Sequence, residues 1–200
     1  MKFQDLREIL PLTDGWVYLN TGWAGPTPLP VLERMNEVSK TEALLGPASP
    51  EGLAFTRNFN RDALRSLAML IGAQDNDLVL THSTTEGVNI VLQGIDWKPG
   101  DELLTCSLEH PAISVPTKVL EERRGVRVVS VELEPDATYD QIISGFASSI
   151  SEKTRLVAIS HIQFTSGLCM PIKEIAGIAH EHGAMLLVDG AQSVGHIQVD

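Results

Sequence analysis

Five short apolar runs, at residues 78–80, Glu102–Cys106, 126–131, 155–160 and 184–188, alternate with segments of helical periodicity. Runs of this length, bounded by turn-forming residues, read as buried strands. Between them, Val88, Val91, Leu92 and Ile95 fall at i, i+3, i+4 and i+7, and Ile172, Ile175, Ala176 and Ala179 repeat the spacing. That spacing gives a helix one apolar face. The segments 113–123 and 139–149 read as helices too. Strand and helix in regular alternation predict an α/β fold, a three-layer, mainly parallel sheet with helices on both faces. The first part differs. Residues 23–30 are rich in Gly and Pro and read as a loop, 31–45 as a helix, Gly46-Pro47-Ala48-Ser49-Pro50 as a break, and 51–71 as a longer helix. The expected organisation is an N-terminal segment and loop over 1–30, followed by one large domain over 31–200 with no linker inside it.

In open parallel sheets, ligands gather beyond the carboxyl ends of the strands. Composition narrows what those ligands are. With 15 basic and 26 acidic residues the net charge is −11. That balance argues against nucleic acid and against an anionic membrane surface as partners. It leaves room for a local pocket that takes a small anion. The first eight residues contain no apolar core of a signal peptide, and no apolar run is long enough to span a bilayer. Cys106 and Cys169 show no metal-binding spacing, so no metal is expected, and a reducing cytoplasm is the expected compartment.

Four strand ends carry candidate contacts. After 78–80 comes Thr81-His82-Ser83-Thr84-Thr85-Glu86-Gly87, which opens a helix. Free N–H groups and the dipole at a helix start attract a phosphate, and the hydroxyls of Ser83, Thr84 and Thr85 add donors. Ser83-x-x-Glu86 is equally a capping box, which any helix can use. After Glu102–Cys106 comes Leu108-Glu109-His110-Pro111. Pro111 biases His110 towards an extended backbone, where its imidazole can stack on a flat ring or serve a purely structural role. After 155–160 comes His161-Ile162-Gln163-Phe164-Thr165-Ser166-Gly167, a pocket wall or an ordinary loop. Cys169, just beyond it, reads as a small core residue rather than a nucleophile. After 184–188 comes Asp189, with Gln192 three residues on. A carboxylate at the end of a buried strand needs a partner. A protonated ring nitrogen suits it, and so does a role as a helix N-cap.

Together these stretches resemble pyridoxal 5′-phosphate (PLP) enzymes of the class V aminotransferase family. The branches in question are cysteine desulfurases, cysteine and cystine C–S lyases and isopenicillin-N-epimerase-like proteins. The resemblance is carried by Tyr18-Leu19-Asn20, Ser83-Thr84-Thr85-Glu86-Gly87-Val88-Asn89, Glu109-His110-Pro111-Ala112, Ser160-His161 through Gly167, and Val188-Asp189-Gly190-Ala191-Gln192-Ser193. The run from Asn89 to Trp97, with Pro99-Gly100-Asp101-Glu102, is similar to the C–S lyase branch. The resemblance implies that Thr84 and Thr85 bind the cofactor phosphate and that His110 stacks on the pyridine ring. It further implies that Asp189 pairs with the ring nitrogen and Gln192 with the phenolic oxygen, with Asn20 and Gly22 near the substrate. His110 and Asp189 are thereby the implied catalytic residues. Where many desulfurases carry an Asn near that oxygen, this chain has Phe164, which resembles the lyase and epimerase branches, where an aromatic is common.

The resemblance covers the N-terminal half of such an enzyme. The family's cofactor-bearing lysine and substrate-carboxylate arginine, the desulfurase nucleophilic cysteine and the small C-terminal domain fall beyond residue 200. The six lysines present, Lys2, Lys40, Lys98, Lys118, Lys153 and Lys173, do not stand in that lysine's context. The chain alone is therefore expected to be inactive. The implied activity is C–S cleavage of cysteine or cystine, or cysteine desulfuration, with aminotransfer, epimerisation or a non-catalytic scaffold role as alternatives. Family members are homodimers, so a homodimer is expected. A nucleotide-binding dehydrogenase would need a G-x-G-x-x-G turn after an early strand, and the sequence has none.

Overall fold

The computed structural model describes residues 7–199, which form two compact units. The first comprises residues 7–69 with Ala73–Leu78. Its main elements are helix α1 (Leu29–Leu45) and helix α2 (Pro50–Ile71), whose last residues pass into the second unit. Pro30 enters α1 in its first turn, where no intrahelical N–H bond is lost. Gly46 ends the helix at φ +79°, and its N–H donates to the Glu42 carbonyl. Ser49 starts α2, its Oγ accepting from Gly52 N at 2.9 Å. The two helices meet where the Arg34 guanidinium lies 5.4 Å from the Phe59 ring centroid.

The second unit comprises residues 79–199 with Leu70–Gly72 and contains the sheet. Helix α3 (Thr84–Gly94) leads to strand β1 (Glu102–Cys106), then α4 (Pro111–Arg124), β2 (Arg127–Val131), α5 (Tyr139–Ser149), β3 (Thr154–Ser160), α6 (Ile172–Glu181) and β4 (Met185–Asp189). The four strands run parallel in the order β2-β1-β3-β4. Alternation along each strand sends neighbouring side chains to opposite faces. Leu103, Leu156 and Ala158 pack with Val88 and Leu92 of α3 and Ile113 and Leu120 of α4. Leu104, Cys106, Val157 and Ile159 pack with Ile142 and Phe146 of α5 and Ile175 and Ala179 of α6. The expected three layers are present, and the near-continuous apolar strands follow from burial on both faces. Each fully buried Leu, Ile or Phe contributes about 1.5–3 kcal/mol of transfer free energy.

Two local features set the spacing of the layers. Gly125 takes the left-handed conformation, φ +67°, that ends α4 and turns the chain into β2. At Gly145, α5 approaches β2 so closely that an added Cβ would lie 2.6 Å from Val131 Cγ1.

The strand expected at 78–80 does not form. Leu78 is extended, but the run pairs with no strand among the described residues, and Val79 is 82% exposed. An apolar run has strand propensity, but only a neighbouring strand satisfies its backbone. The other strand expectations are met to within one residue at each end.

Candidate functional site

Three strands of the second unit end side by side, and their ends carry most of the residues singled out by sequence. Ser160 at the end of β3 is in register with Asp189 at the end of β4, and His161 N donates to the Asp189 carbonyl at 2.9 Å. The Asp189 side chain is buried, and its Oδ1 accepts from Ala191 N at 2.9 Å. That bond shapes the tight turn after the strand, as Asp commonly does. No helix follows among the described residues, so the N-cap reading of Asp189 is not realised. Gln192 lies partly buried in the same turn.

His110 follows β1 with the extended backbone that Pro111 imposes, φ −66° and ψ 150°. It is itself the N-cap of α4, its Nδ1 accepting from Ala112 N at 3.0 Å. An accepting Nδ1 carries no proton, so in the neutral ring the proton sits on Nε2. The ring meets Phe164 edge-on, with centroids 4.8 Å apart and planes at 89°. Sequence reasoning missed this capping role. Pro at the first helical position was the available signal, but histidine is not among the usual capping residues.

Thr84 and Thr85 form the first turn of α3, both exposed. The Ser83 hydroxyl accepts from Glu86 N at 3.2 Å. The capping box is only half made. The Glu86 carboxylate accepts instead from His82 N at 2.6 Å, which holds it below its ordinary range, with the His82 side-chain contact adding to the effect. Helix α3 packs against α4, the helix that His110 caps, and also touches β4. Asn20 and Gly22 belong to the first unit. There the Asn20 carbonyl accepts from Trp23 N and Ala24 N in a turn that includes Gly22.

A buried polar cluster joins the ends of β1 and β3, and sequence reasoning gave it no role. Glu109 is 8% exposed and accepts from Ser160 N, Ser160 Oγ, Gln163 Nε2 and the Cys106 thiol. Burial first, and the Glu109 charge second, push the Cys106 thiol far up, so it stays protonated. Thr105 Oγ1 and Gln163 Oε1 are buried without a hydrogen-bond partner. Cys169 is exposed rather than buried, which corrects the core reading. It sits at a lone antiparallel bridge to Ile162. No cluster of three potential metal ligands occurs among the described residues, and no described helix is long and apolar enough to cross a membrane.

A parallel sheet whose strand ends present a buried carboxylate and a capping imidazole has the arrangement at which open α/β folds gather ligands. The class V aminotransferase profile matches residues 17–200, and the chain belongs to that family. It is 35% identical to a probable cysteine desulfurase of Methanothermobacter thermautotrophicus, over all of this chain and 50% of that protein. The chain thus spans about half the length of the curated relatives it matches. Among solved structures, a mutant of C-DES with glycine covalently linked to its PLP cofactor aligns with TM-score 0.90 at 28% identity, covering 97% of this chain and 51% of that one. The cystine C–S lyase C-DES in complex with its reaction product cysteine persulfide aligns with TM-score 0.89 at 28% identity, over 96% and 51%.

Proposed function

We propose that this chain supplies the cofactor-binding half of a PLP enzyme that cleaves C–S bonds of cysteine or cystine. The observation that carries the reading is Asp189. It is a buried carboxylate at the carboxyl end of a parallel strand, joined through β3 to the turn that bears His110. Beyond the Ala191 N–H, such a buried charge is costly without a counter-charge, and a protonated ring nitrogen supplies one.

The residues present fit the group. The first turn of α3 offers unpaired N–H groups, the positive end of a helix dipole and two exposed hydroxyls to a phosphate. A partly exposed imidazole suits the face of a pyridine ring. When bound, PLP supplies an electron sink for the substrate's α-carbon. The chain's own residues do the rest. Thr84 and Thr85 bind the phosphate and fix the ligand's long axis. His110 covers one face of the ring and keeps water from it. Asp189 holds the proton on the ring nitrogen, because a nearby carboxylate favours the charged form. Gln192 donates to the phenolic oxygen.

None of the six lysines stands in the context of the family's cofactor-bearing lysine, so these 200 residues alone bind PLP without turnover. Cysteine and cystine come from the names of the similar proteins, and Phe164 beside His110 favours the lyase type over the desulfurase type. A homodimer in the cytoplasm is part of the proposal. The dimer is supported by the strongly exposed Trp16, Val17, Leu19 and Trp23, an unusual apolar run for a lone surface. The test is the visible circular dichroism of PLP titrated into the protein. A saturable induced band, lost in Asp189→Ala, supports the reading, and a spectrum unchanged from free PLP refutes it. With the lysine-bearing portion present, pyruvate from cystine marks the lyase, whereas alanine from cysteine marks the desulfurase.

A further inference from the structure

The Glu109 carboxylate is held by donors from two separate strand ends. Ser160 N lies 3.0 Å from each oxygen, and Ser160 Oγ lies 2.6 Å from Oε2. Gln163 Nε2 and the Cys106 thiol donate to Oε1 at 3.1 and 3.2 Å. No ion pair to Glu109 occurs among the described residues. A buried carboxylate without a cation is costly unless its hydrogen bonds are complete. Ser160 N and Gln163 Nε2 can only donate, so both require an acceptor, and a carboxylate is acceptor-only on both oxygens. An amide of the same shape would turn an NH2 group towards other donors.

The clamp's chain neighbours give it significance. His110 follows Glu109 directly, and Phe164 follows Gln163 directly. These two rings are the edge-to-face pair, 4.8 Å apart. We propose that Glu109 is a positioning residue: its carboxylate locks the turn after β1 to the turn after β3 and so fixes the His110 and Phe164 rings against each other at the rim of the site. The functional consequence rests on the reading of His110 as the ring-stacking residue; the clamp itself does not.

The molecule contains its own control. Glu102, at the other end of β1, is also a buried carboxylate, held by Arg127 Nη1 at 3.1 Å and Ser151 Oγ at 2.6 Å. It borders none of the site residues. A merely structural role for Glu109 predicts that Glu109→Gln and Glu102→Gln behave alike.

The experiment compares those two variants and Ser160→Ala, which removes one donor and leaves the carboxylate. The readouts are the His110 imidazole 15N shifts, the nuclear Overhauser contacts between the His110 and Phe164 rings, hydrogen exchange at the Ala112 amide, and PLP affinity. In Glu109→Gln the ring contacts are lost, the Ala112 amide exchanges about tenfold faster and PLP affinity falls about tenfold. Ser160→Ala moves the same signals less, and it decides the matter if Glu109→Gln does not fold. Glu102→Gln lowers stability and leaves all four readouts in place. Unchanged His110 and Phe164 signals in Glu109→Gln and Ser160→Ala, or equal changes in Glu102→Gln, overturn the proposal. If the wild-type protein binds no PLP, the function proposed above fails, while the ring contacts and amide exchange still decide the clamp.

Discussion

Replacing His110 separates its two roles, because one belongs to a nitrogen and the other to a ring. The Nδ1 atom caps α4 through Ala112 N, and losing an N-cap costs about 1 kcal/mol. The ring packs edge-on against Phe164, a contact of about 1 kcal/mol beyond its area. His110→Ala removes both and should cost about 2 kcal/mol. For a chain of this size that is a fall in melting temperature of about 4–8 °C. His110→Asn keeps an acceptor in place for Ala112 N, since Asn is among the best N-capping residues, and loses only the ring. It should cost about 1 kcal/mol, half the shift. Chemical denaturation of the three proteins measures the difference. The induced dichroism of bound PLP should change equally in both variants, because both lack the imidazole. If His110→Asn is as unstable as His110→Ala, the cap is not what Nδ1 provides. If His110→Asn leaves the cofactor signal untouched, the ring does not stack.

Gly145 sets helix propensity against packing. Gly→Ala in a helix interior ordinarily gains about 1 kcal/mol, but here the new Cβ meets Val131 Cγ1 at 2.6 Å on a stiff β-branched side chain, and overpacking costs about 1–3 kcal/mol. Gly145→Ala should therefore destabilise, and Val131→Ala in the same molecule should relieve part of the loss; additive denaturation energies would contradict this. Cys106 is buried and kept protonated, whereas Cys169 is exposed, so a thiol reagent at mildly alkaline pH should label Cys169 in the native protein and reach Cys106 only on unfolding. Rapid native labelling of both would refute the burial argument. Glu86 is held below its ordinary value of 4.5 chiefly by the His82 backbone N–H. A depressed carboxylate stabilises the fold above its unfolded pKa, and that contribution is lost as pH falls through the lowered folded value. His82→Ala keeps the backbone donor, so a carboxyl-carbon NMR titration should still find Glu86 below 4.5; a return to the ordinary value would be inconsistent with that cause.

The sheet and its flanking helices were legible because burial on both faces writes itself as unbroken apolar runs such as Glu102–Cys106 and as regular spacing in α3 and α6. The run at 78–80 was misread because an apolar stretch shows propensity, while pairing depends on a neighbour that sequence does not display. Cys169 was misread because a small apolar residue looks alike in a core and in an exposed bridge. At the site, the polar positions after β1, β3 and β4 were legible from topology alone, whereas the start of α3 was reached through an expected strand at 78–80 that does not form. The Glu109 cluster was not legible, since its donors Ser160 and Gln163 lie 51 and 54 residues away in sequence and meet it only through the pairing of β1 with β3.

On the function proposed above, the ends of β1 and β4 and the start of α3 together hold PLP. Pyridoxine 5′-phosphate tests it most directly, because it has the ring and phosphate but no aldehyde to react with surface lysines. Titrated into the 15N-labelled protein, it should shift the amide signals of Thr84, Thr85, Ala112 and Ala191 together along one saturating curve. It should also shift the His110 imidazole signals, and Asp189→Ala should weaken the binding. Shifts scattered over the surface without saturation, or a saturating site that omits α3 or Ala191, would contradict the account.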